Sequence, residues 1–173
     1  MSKAFTKEDA WEEPVVPPRA PLPAGVPNYV TPRGMALLRD EHAALEAERQ
    51  QLDALRSDDL EQRRRRAIIA GRLRDLNVRI SSAEVVHPRP QHHDRVRFGA
   101  QVTLRTVSGP RAGEQRRLEI VGVDEADAAH DRIAFVAPIA RALIGCAVGD
   151  TASLHTPRGE EQLEVVAIEY GSV

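Results

Sequence analysis

The sequence is poor in cysteine, in aromatic residues and in net charge. A single cysteine, Cys146, among 173 residues excludes an internal disulfide and a cysteine-based metal cage, and it fits a reducing compartment. Aromatic residues make up only 3% of the chain, too few for a surface that stacks nucleic-acid bases by itself. The formal net charge of -2 argues against an independent DNA-binding protein held by phosphate neutralisation. These absences make a protein the expected partner.

Long apolar runs are also missing. No segment approaches the length needed to span a bilayer, and the acidic, proline-rich start of the chain lacks the pattern of a signal peptide. We therefore expect no membrane partner and a cytoplasmic location.

Residues 1–28 are rich in proline and poor in large apolar side chains, which predicts a disordered tail. Trp11 in this tail is either incidental or an anchor for a partner.

Two segments that each carry a narrow apolar seam follow this tail. Thr31 and Pro32 are residue types of an N-cap and a first helical position, which predicts a helix start. Apolar residues then recur at intervals of three, four and seven, at Leu38, Leu45, Leu52 and Leu55 and again at Ile69, Leu73, Leu76, Ile80 and Ala83. This spacing is typical of an antiparallel two-helix coiled coil. We predict a helical hairpin over residues 29–86, with its turn within 57–62, and a proline-containing linker over 87–94.

Residues 95–173 have the pattern of a small α+β domain. Thr156, Pro157 and Gly159 suit a tight turn between two strands in which apolar and polar residues alternate. Gly149 follows a short helical segment, where a glycine favours the end of a helix. From the residues alone, an ordinary small α+β domain accounts for these features.

Several motifs nevertheless resemble the Gre transcript-elongation factors, in residues and in order. In the second half they are Phe98–Ala100, Ile120–Glu125, Pro138–Leu143, Val148–Asp150, Thr156–Gly159 and Ile168–Tyr170. In the first half, Tyr29–Gly34 and Ala83–Val86 are similar to the opening and hairpin-exit motifs of the family. The chain resembles a GreB-like member of the Gre family with a shortened coiled coil. This resemblance implies an α+β fold, with an N-terminal antiparallel two-helix coiled-coil hairpin and a C-terminal FKBP-like domain that docks on RNA polymerase.

The resemblance also implies a function in transcription. Gre factors insert the hairpin through the secondary channel of RNA polymerase and act on backtracked complexes, so RNA polymerase is the expected partner. The RNA 3′ end and DNA are then met only within the elongation complex, by a protein expected to be a monomer. No active site and no cofactor of the chain's own are implied, because Gre factors stimulate the nuclease activity of the polymerase. The Mg²⁺ of the polymerase active site takes part if transcript cleavage is stimulated.

At the hairpin tip, the resemblance places Asp58 and Glu61 on the two acidic positions of the family motif Gly-Asp-x-x-Glu-Asn. Carboxylates spaced by three on a helical turn could approach the polymerase Mg²⁺ together, and a solvated acidic turn is the alternative. Ser57 and Gln62 depart from the motif. Each arm also looks shorter than is usual in the family by about six or seven residues, which retracts the tip by roughly 10 Å. A secondary-channel regulator that competes with Gre factors without promoting cleavage is therefore the alternative function.

Four consecutive cations directly follow the acidic tip. They are Arg63, Arg64, Arg65 and Arg66. Cations at this place could meet the RNA 3′ end or phosphates inside a channel, or form only a solvated helix face. The sequence leaves both interpretations open.

A second candidate contact precedes the Pro-x-Ala-Arg-Ala-Leu helix. In the family this turn usually reads Asp-Ser-Pro and is part of the grip on polymerase. Here it reads Val136-Ala137-Pro138, with Arg141 on the following helix. The polymerase contact is therefore either rebuilt with apolar surface or weaker than in a standard Gre factor.

An FKBP-like domain also raises the possibility of peptidyl-prolyl isomerisation. That activity needs an apolar pocket lined by aromatic residues. This domain offers only Phe98, Phe135 and Tyr170. The sequence therefore disfavours an enzyme of this kind.

Overall fold

A computed structural model of the chain describes residues 19–55, 59–87, 94–157 and 159–171. These residues form a helical hairpin followed by a β-sheet with one short helix, the α+β class that the sequence predicts. The elements of the first part are β1 (Asn28–Val30), α1 (Pro32–Ala54), α2 (Leu60–Ser81) and β2 (Ala83–Val85). Those of the second part are β3 (Ala100–Ser108), β4 (Gln115–Val121), β5 (Arg132–Ala134), α3 (Pro138–Leu143), β6 (Thr151–Thr156) and β7 (Gly159–Tyr170).

Both long helices begin at a residue that caps them. Thr31 precedes α1, and its Oγ1 accepts a hydrogen bond from the backbone N–H of Gly34 at 2.9 Å, as the sequence predicts. Asp59 precedes α2, and its Oδ1 accepts a hydrogen bond from the backbone N–H of Gln62 at 2.8 Å. We did not anticipate this second cap, although an aspartate three residues before a glutamine resembles a capping box. The predicted turn of the hairpin falls between these helices, and residues 56–58 are outside the described part.

The two helices pack along the predicted seam. Its buried side chains are Leu38, Leu45 and Leu52 of α1 and Ile69, Leu73 and Leu76 of α2. Ile80 and Ala83 are half-buried against them. Leu55 does not belong to the seam, contrary to expectation, because α1 ends at Ala54 and leaves the Leu55 side chain 62% exposed.

The base of the hairpin is closed by a pair of short parallel strands. β1 pairs with β2 in the register Asn28 with Ala83 and Val30 with Val85. Asn28 is buried, and its Nδ2 donates to the backbone oxygen of Arg79 at 2.8 Å. The chain segments that enter and leave the hairpin are therefore fastened to each other.

The second part is built on a curled five-stranded sheet. The strand order is β5-β4-β3-β7-β6, and all neighbours are antiparallel except β4 and β5. One face of the sheet and α3 enclose the core, whose fully buried side chains include Val102, Leu104, Ile120, Leu143, Leu163 and Val165. The predicted turn joins β6 to β7, where Thr156 Oγ1 donates to the backbone oxygen of Gly159 at 2.7 Å. This core holds α3 and the turn before it at one side of the domain.

A different glycine from the expected one ends α3. Gly145, two residues after the helix, has a φ of +94° and occupies the left-handed position that stops the helix. Gly149 belongs to the next turn, where its N–H donates to the backbone oxygen of Val165 at 2.8 Å. Asp150 closes the same turn by accepting a hydrogen bond from the backbone N–H of Ala147 at 2.7 Å. The motif Val148–Asp150 therefore fastens this turn to β7 rather than ending the helix.

Candidate functional site

The described part of the hairpin tip contains one of the two implicated carboxylates. Glu61 lies in the first turn of α2 and is exposed, whereas Asp58 lies outside the described residues. Helix α2 starts at Leu60, so the structure shows helical geometry on this arm only from Leu60 onward. The pairing of Asp58 with Glu61 on one helical face therefore stays a prediction. Among the described residues, no group of three or more His, Cys, Asp or Glu side chains could hold a metal ion.

Two leucines flank the same turn and face solvent. The Leu55 side chain is 62% exposed at the end of α1, and Leu60 is 67% exposed at the start of α2. Large apolar side chains at such exposure are surface that a partner can cover. The described part of the tip is therefore apolar as well as acidic.

The arginine run after the tip divides into two pairs. Arg65 donates to Glu48 Oε1 on α1, from Nε at 2.8 Å and from Nη2 at 2.5 Å. Arg66 donates from Nη2 to the backbone oxygen of Leu52 at 2.7 Å. Arg63 and Arg64 are exposed. Arg65 and Arg66 thus tie α2 to α1, and Arg63 and Arg64 lie on the exposed surface of α2.

The turn before α3 is held by backbone contacts. Ala137 is the N-cap residue of α3 and offers no side-chain acceptor, while its own N–H donates to the backbone oxygen of Ala134 at 2.8 Å. Val136 and Ala137 are half-buried, and Pro138 and Arg141 are exposed. The turn therefore presents a small apolar surface beside one cation.

Replacing Ala137 with serine is expected to raise the free energy of unfolding by about 0.5–2 kcal/mol. A serine Oγ at the N-cap can accept a hydrogen bond from the backbone N–H of Ile139 or Ala140, which lacks a side-chain partner now. Denaturant titration measures the change. Ala142→Ser in the same helix is the control and should lower stability slightly, because serine is a poorer helix former than alanine. A loss of stability at position 137 would contradict the N-cap assignment.

A buried carboxylate joins the hairpin to the sheet domain. Glu125 is 3% exposed and lies in the single helical turn Val123–Glu125 that follows β4. Its Oε2 accepts a hydrogen bond from Thr31 Oγ1 at 2.5 Å, and its Oε1 accepts one from Arg33 Nε at 2.5 Å. Burial alone lowers the pKa of Arg33, but its hydrogen bonds to Glu119 and Glu125 raise this pKa overall. The start of α1 is thus held against the end of β4 by charge-assisted hydrogen bonds.

Glycines allow this close approach on both sides of the junction. A Cβ atom at Gly34 would lie 2.7 Å from Glu125 Oε2, and one at Gly122 would lie 2.7 Å from the backbone oxygen of Tyr29. The sequence motifs contain both glycines. Periodicity does not show that Gly34 lies against Glu125 or that Gly122 lies against Tyr29. The junction is a structural feature that the sequence analysis missed.

Aromatic rings complete the junction. Tyr29 packs on Phe98 and Phe135, with ring centroids 5.8 and 5.7 Å apart, and the two phenylalanines lie 5.6 Å from each other. Tyr170 donates from its hydroxyl to the backbone oxygen of Arg95 at 2.6 Å. The aromatic side chains considered for an isomerase pocket are therefore engaged in packing and in holding the chain before β3.

The single cysteine packs against the core of the sheet domain. Cys146 is half-buried at the edge of the core, and its Sγ contacts the backbone oxygen of Ala142 at 3.5 Å. Burial, with a smaller contribution from Asp150, raises the pKa of its thiol. Cys146 packs against the core as a small, half-buried residue.

Within the described ranges, no helix is both long enough and apolar enough to cross a bilayer.

Comparison with known proteins finds relatives among transcription elongation factors. The family model described as transcription elongation factor, GreA/GreB, C-terminal, matches residues 91–170. A transcription elongation factor GreB of Neisseria meningitidis serogroup A is 35% identical over 157 residues, which cover 83% of this chain and 94% of that protein. A transcription elongation factor GreA of Francisella tularensis subsp. novicida is 42% identical over 109 residues, which cover 62% of this chain and 66% of that protein. The solved structure of GreA factor homolog 1 of Thermus thermophilus is 25% identical, covers 83% of this chain and 99% of that chain, and gives a TM-score of 0.38.

The match to the GreB protein extends over nearly its whole length. The matched model lies on the sheet domain, and the hairpin precedes it as the motifs indicate. The chain therefore belongs to the GreA/GreB family of transcription elongation factors.

Proposed function

We propose that this chain docks on RNA polymerase with the turn Val136–Pro138 and the exposed Arg141, and places its hairpin in the secondary channel. There it modulates backtracked elongation complexes, without an active site of its own. The observation that carries the proposal is the junction at Glu125, which joins the two-helix rod to the sheet domain that contains the proposed docking turn. A rod held in this way can transmit a docking event at one end to its tip at the other.

The hairpin is a long, narrow rod, the shape that the proposed insertion needs. α1 has 23 residues and α2 has 22, so the rod is about 35 Å long at a rise of 1.5 Å per residue. Two helices packed side by side are narrow, and their outer faces are largely polar, although Leu37 and Val78 are exposed there. The exposed Arg63 and Arg64 near the tip then lie where RNA phosphates or the RNA 3′ end would be met.

Stimulated transcript cleavage is the first form of this function. The Mg²⁺ that supplies the hydrolytic chemistry, by activating water and neutralising phosphate charge, belongs to the polymerase. Glu61 is exposed and acidic at the correct end of the rod, and Asp58 is its expected companion. Their part in this proposal is to add carboxylate oxygens to the metal site of polymerase.

Occupation of the channel without cleavage is the second form. The exposed Leu55 and Leu60 favour it, because apolar side chains on both sides of the turn can anchor a tip by burial without contributing metal ligands. The short arms that the resemblance indicates favour it as well. Such a protein would compete with standard Gre factors for the same entrance.

A stalled, backtracked elongation complex distinguishes the two forms. The complex is incubated with the wild-type protein, with Asp58→Ala/Glu61→Ala, and with the control Asp40→Ala, which removes an exposed carboxylate at the opposite end of the hairpin. Asp59 is left unchanged because it caps α2. The lengths of the RNA products report cleavage, and displacement of a labelled Gre factor reports occupation of the channel.

Each outcome has one meaning. Faster cleavage by wild type and by Asp40→Ala, but not by the double variant, establishes the cleavage form. Absence of cleavage by all three proteins, together with displacement of the Gre factor by all three, establishes the competitor. No association of the wild-type protein with core polymerase at micromolar concentration overturns the proposed function altogether.

A further inference from the structure

A second set of contacts between the hairpin and the sheet domain involves the segment before β1. The sequence assigns this segment to a disordered tail, yet Arg19 has a side chain only 23% exposed. Its Nη1 donates to Asp124 Oδ1 at 2.7 Å, and its Nη2 donates to Glu41 Oε2. Asp124 belongs to the sheet domain and Glu41 to α1. One guanidinium therefore bridges the two parts of the molecule.

Asp124 also forms an ion pair with an arginine of the other helix, α2. Arg79 of α2 is 7% exposed, and its Nε lies 3.3 Å from Asp124 Oδ2. The Nη2 of Arg79 donates to the backbone oxygen of Ala20, next to Arg19. The Asp124 side chain is 10% exposed. The two arginines, the aspartate and the N-terminal segment thus form one partly buried cluster in which both helices and the sheet domain take part.

The position of this cluster along the hairpin determines which movement of the hairpin it can restrict. The junction at Glu125 holds α1 at Arg33, whereas the cluster holds α1 at Glu41, eight residues further along. At a rise of 1.5 Å per residue the two attachments are about 12 Å apart along the helix. An attachment at a distance from the junction restricts how far the hairpin can swing about it.

The geometry of the two carboxylates suits an arginine at this place. Two carboxylates approach the guanidinium from different elements and occupy different nitrogen atoms, and the planar fork of arginine serves both at once. Burial alone lowers the pKa of Arg19, but its hydrogen bonds to Glu41 and Asp124 raise this pKa overall. A lysine presents a single ammonium at this place.

We propose that Arg19 is a positioning residue that fixes the direction of the hairpin relative to the sheet domain. It acts through Glu41 and Asp124, and it contacts no substrate. This direction would determine whether the hairpin tip points into the polymerase channel. That consequence rests on the proposed function. The segment that contains Arg19 lies before the opening motif of the family. These contacts are therefore made by a part of the chain outside both the hairpin and the sheet domain.

A distance measurement within the full-length protein tests the proposal without polymerase. Spin labels are placed at Gln50→Cys on α1 and Ser153→Cys on β6, both exposed positions, in a Cys146→Ser background. We expect one narrow distance distribution for this parent. Arg19→Ala should broaden the distribution and Arg19→Lys should do so less. Arg105→Ala, which removes an exposed ion pair to Glu164 within the sheet domain, should leave it unchanged.

Unchanged distributions for Arg19→Ala would overturn the proposal, as would equal broadening by Arg105→Ala. In the polymerase assay, Arg19→Ala should need roughly tenfold more protein than wild type to displace a Gre factor if only about a tenth of the molecules keep the competent direction. Equal potency of Arg19→Ala and wild type would contradict the link to function. If the wild-type protein does not bind polymerase, the proposed function fails, and the distance distributions still decide the role of Arg19.

Discussion

Glu125→Ala is expected to lower the free energy of unfolding by about 2–4 kcal/mol, although the change removes a charged residue. Glu125 is 3% exposed and accepts hydrogen bonds from Thr31 and Arg33. Thr31 is 4% exposed, so its hydroxyl would lose its acceptor in a place that water does not reach. Arg33 is 44% exposed and can be rehydrated, which keeps the loss below that of a fully buried ion pair.

Denaturant titration of full-length protein measures this loss. Glu164→Ala is the matched control, because Glu164 also pairs with an arginine but at the surface, and a change within about 1 kcal/mol is expected there. If the two variants are equally stable, the buried junction is not a source of stability.

Coupling between Gly34 and Glu125 gives a sharper form of the same test. In the wild-type background Gly34→Ala should cost about 1–3 kcal/mol, because its Cβ would lie 2.7 Å from Glu125 Oε2. In the Glu125→Ala background the obstructing atom is gone, and the same change should stabilise α1 by up to about 1 kcal/mol through helix propensity. A double-mutant cycle measures this reversal of sign, and additive effects would refute the contact.

Leu76→Ala should lower the free energy of unfolding by about 2–5 kcal/mol. Leu76 is fully buried in the seam, so the truncation removes apolar burial and leaves a cavity between α1 and α2. Far-ultraviolet circular dichroism during denaturation follows the helices, which carry most of the signal.

Leu37→Ala provides the control for the seam. Leu37 lies on α1 beside the buried Leu38, but its side chain is 47% exposed. Truncation there should change the free energy of unfolding by less than about 1 kcal/mol. Similar losses for Leu37→Ala and Leu76→Ala would refute the assigned register of the hairpin.

Local pattern was sufficient to predict the hairpin. Leucines spaced by seven identified the buried face of α1 because a helix repeats its face at that interval, and Thr31 with Pro32 identified its start. The pattern failed at Leu55, since spacing alone does not reveal that α1 ends one residue earlier. The cap at Asp59 was readable from the sequence as an aspartate followed after three positions by a glutamine.

The junction could not be predicted in the same way. Glu125 and Arg33 are far apart in the sequence, and nothing in either local pattern shows that they meet. Arg19 was assigned to a tail on composition, which reports average burial and misses a single arginine between two carboxylates. At the tip, the residue types of Asp58 and Glu61 suggested metal ligation, and their arrangement stays a prediction.

β1 and β2 can pair only after the chain between them has closed on itself. Asn28 and Ala83 are distant in sequence, whereas α1 and α2 meet across a turn of a few residues. Because local contacts form early and loop closure costs more entropy at greater separation, the leucine seam is expected to form first. It then brings β1 beside β2 at little further entropic cost. Substitutions in the seam should slow folding, whereas substitutions at the strand pair should mainly speed unfolding.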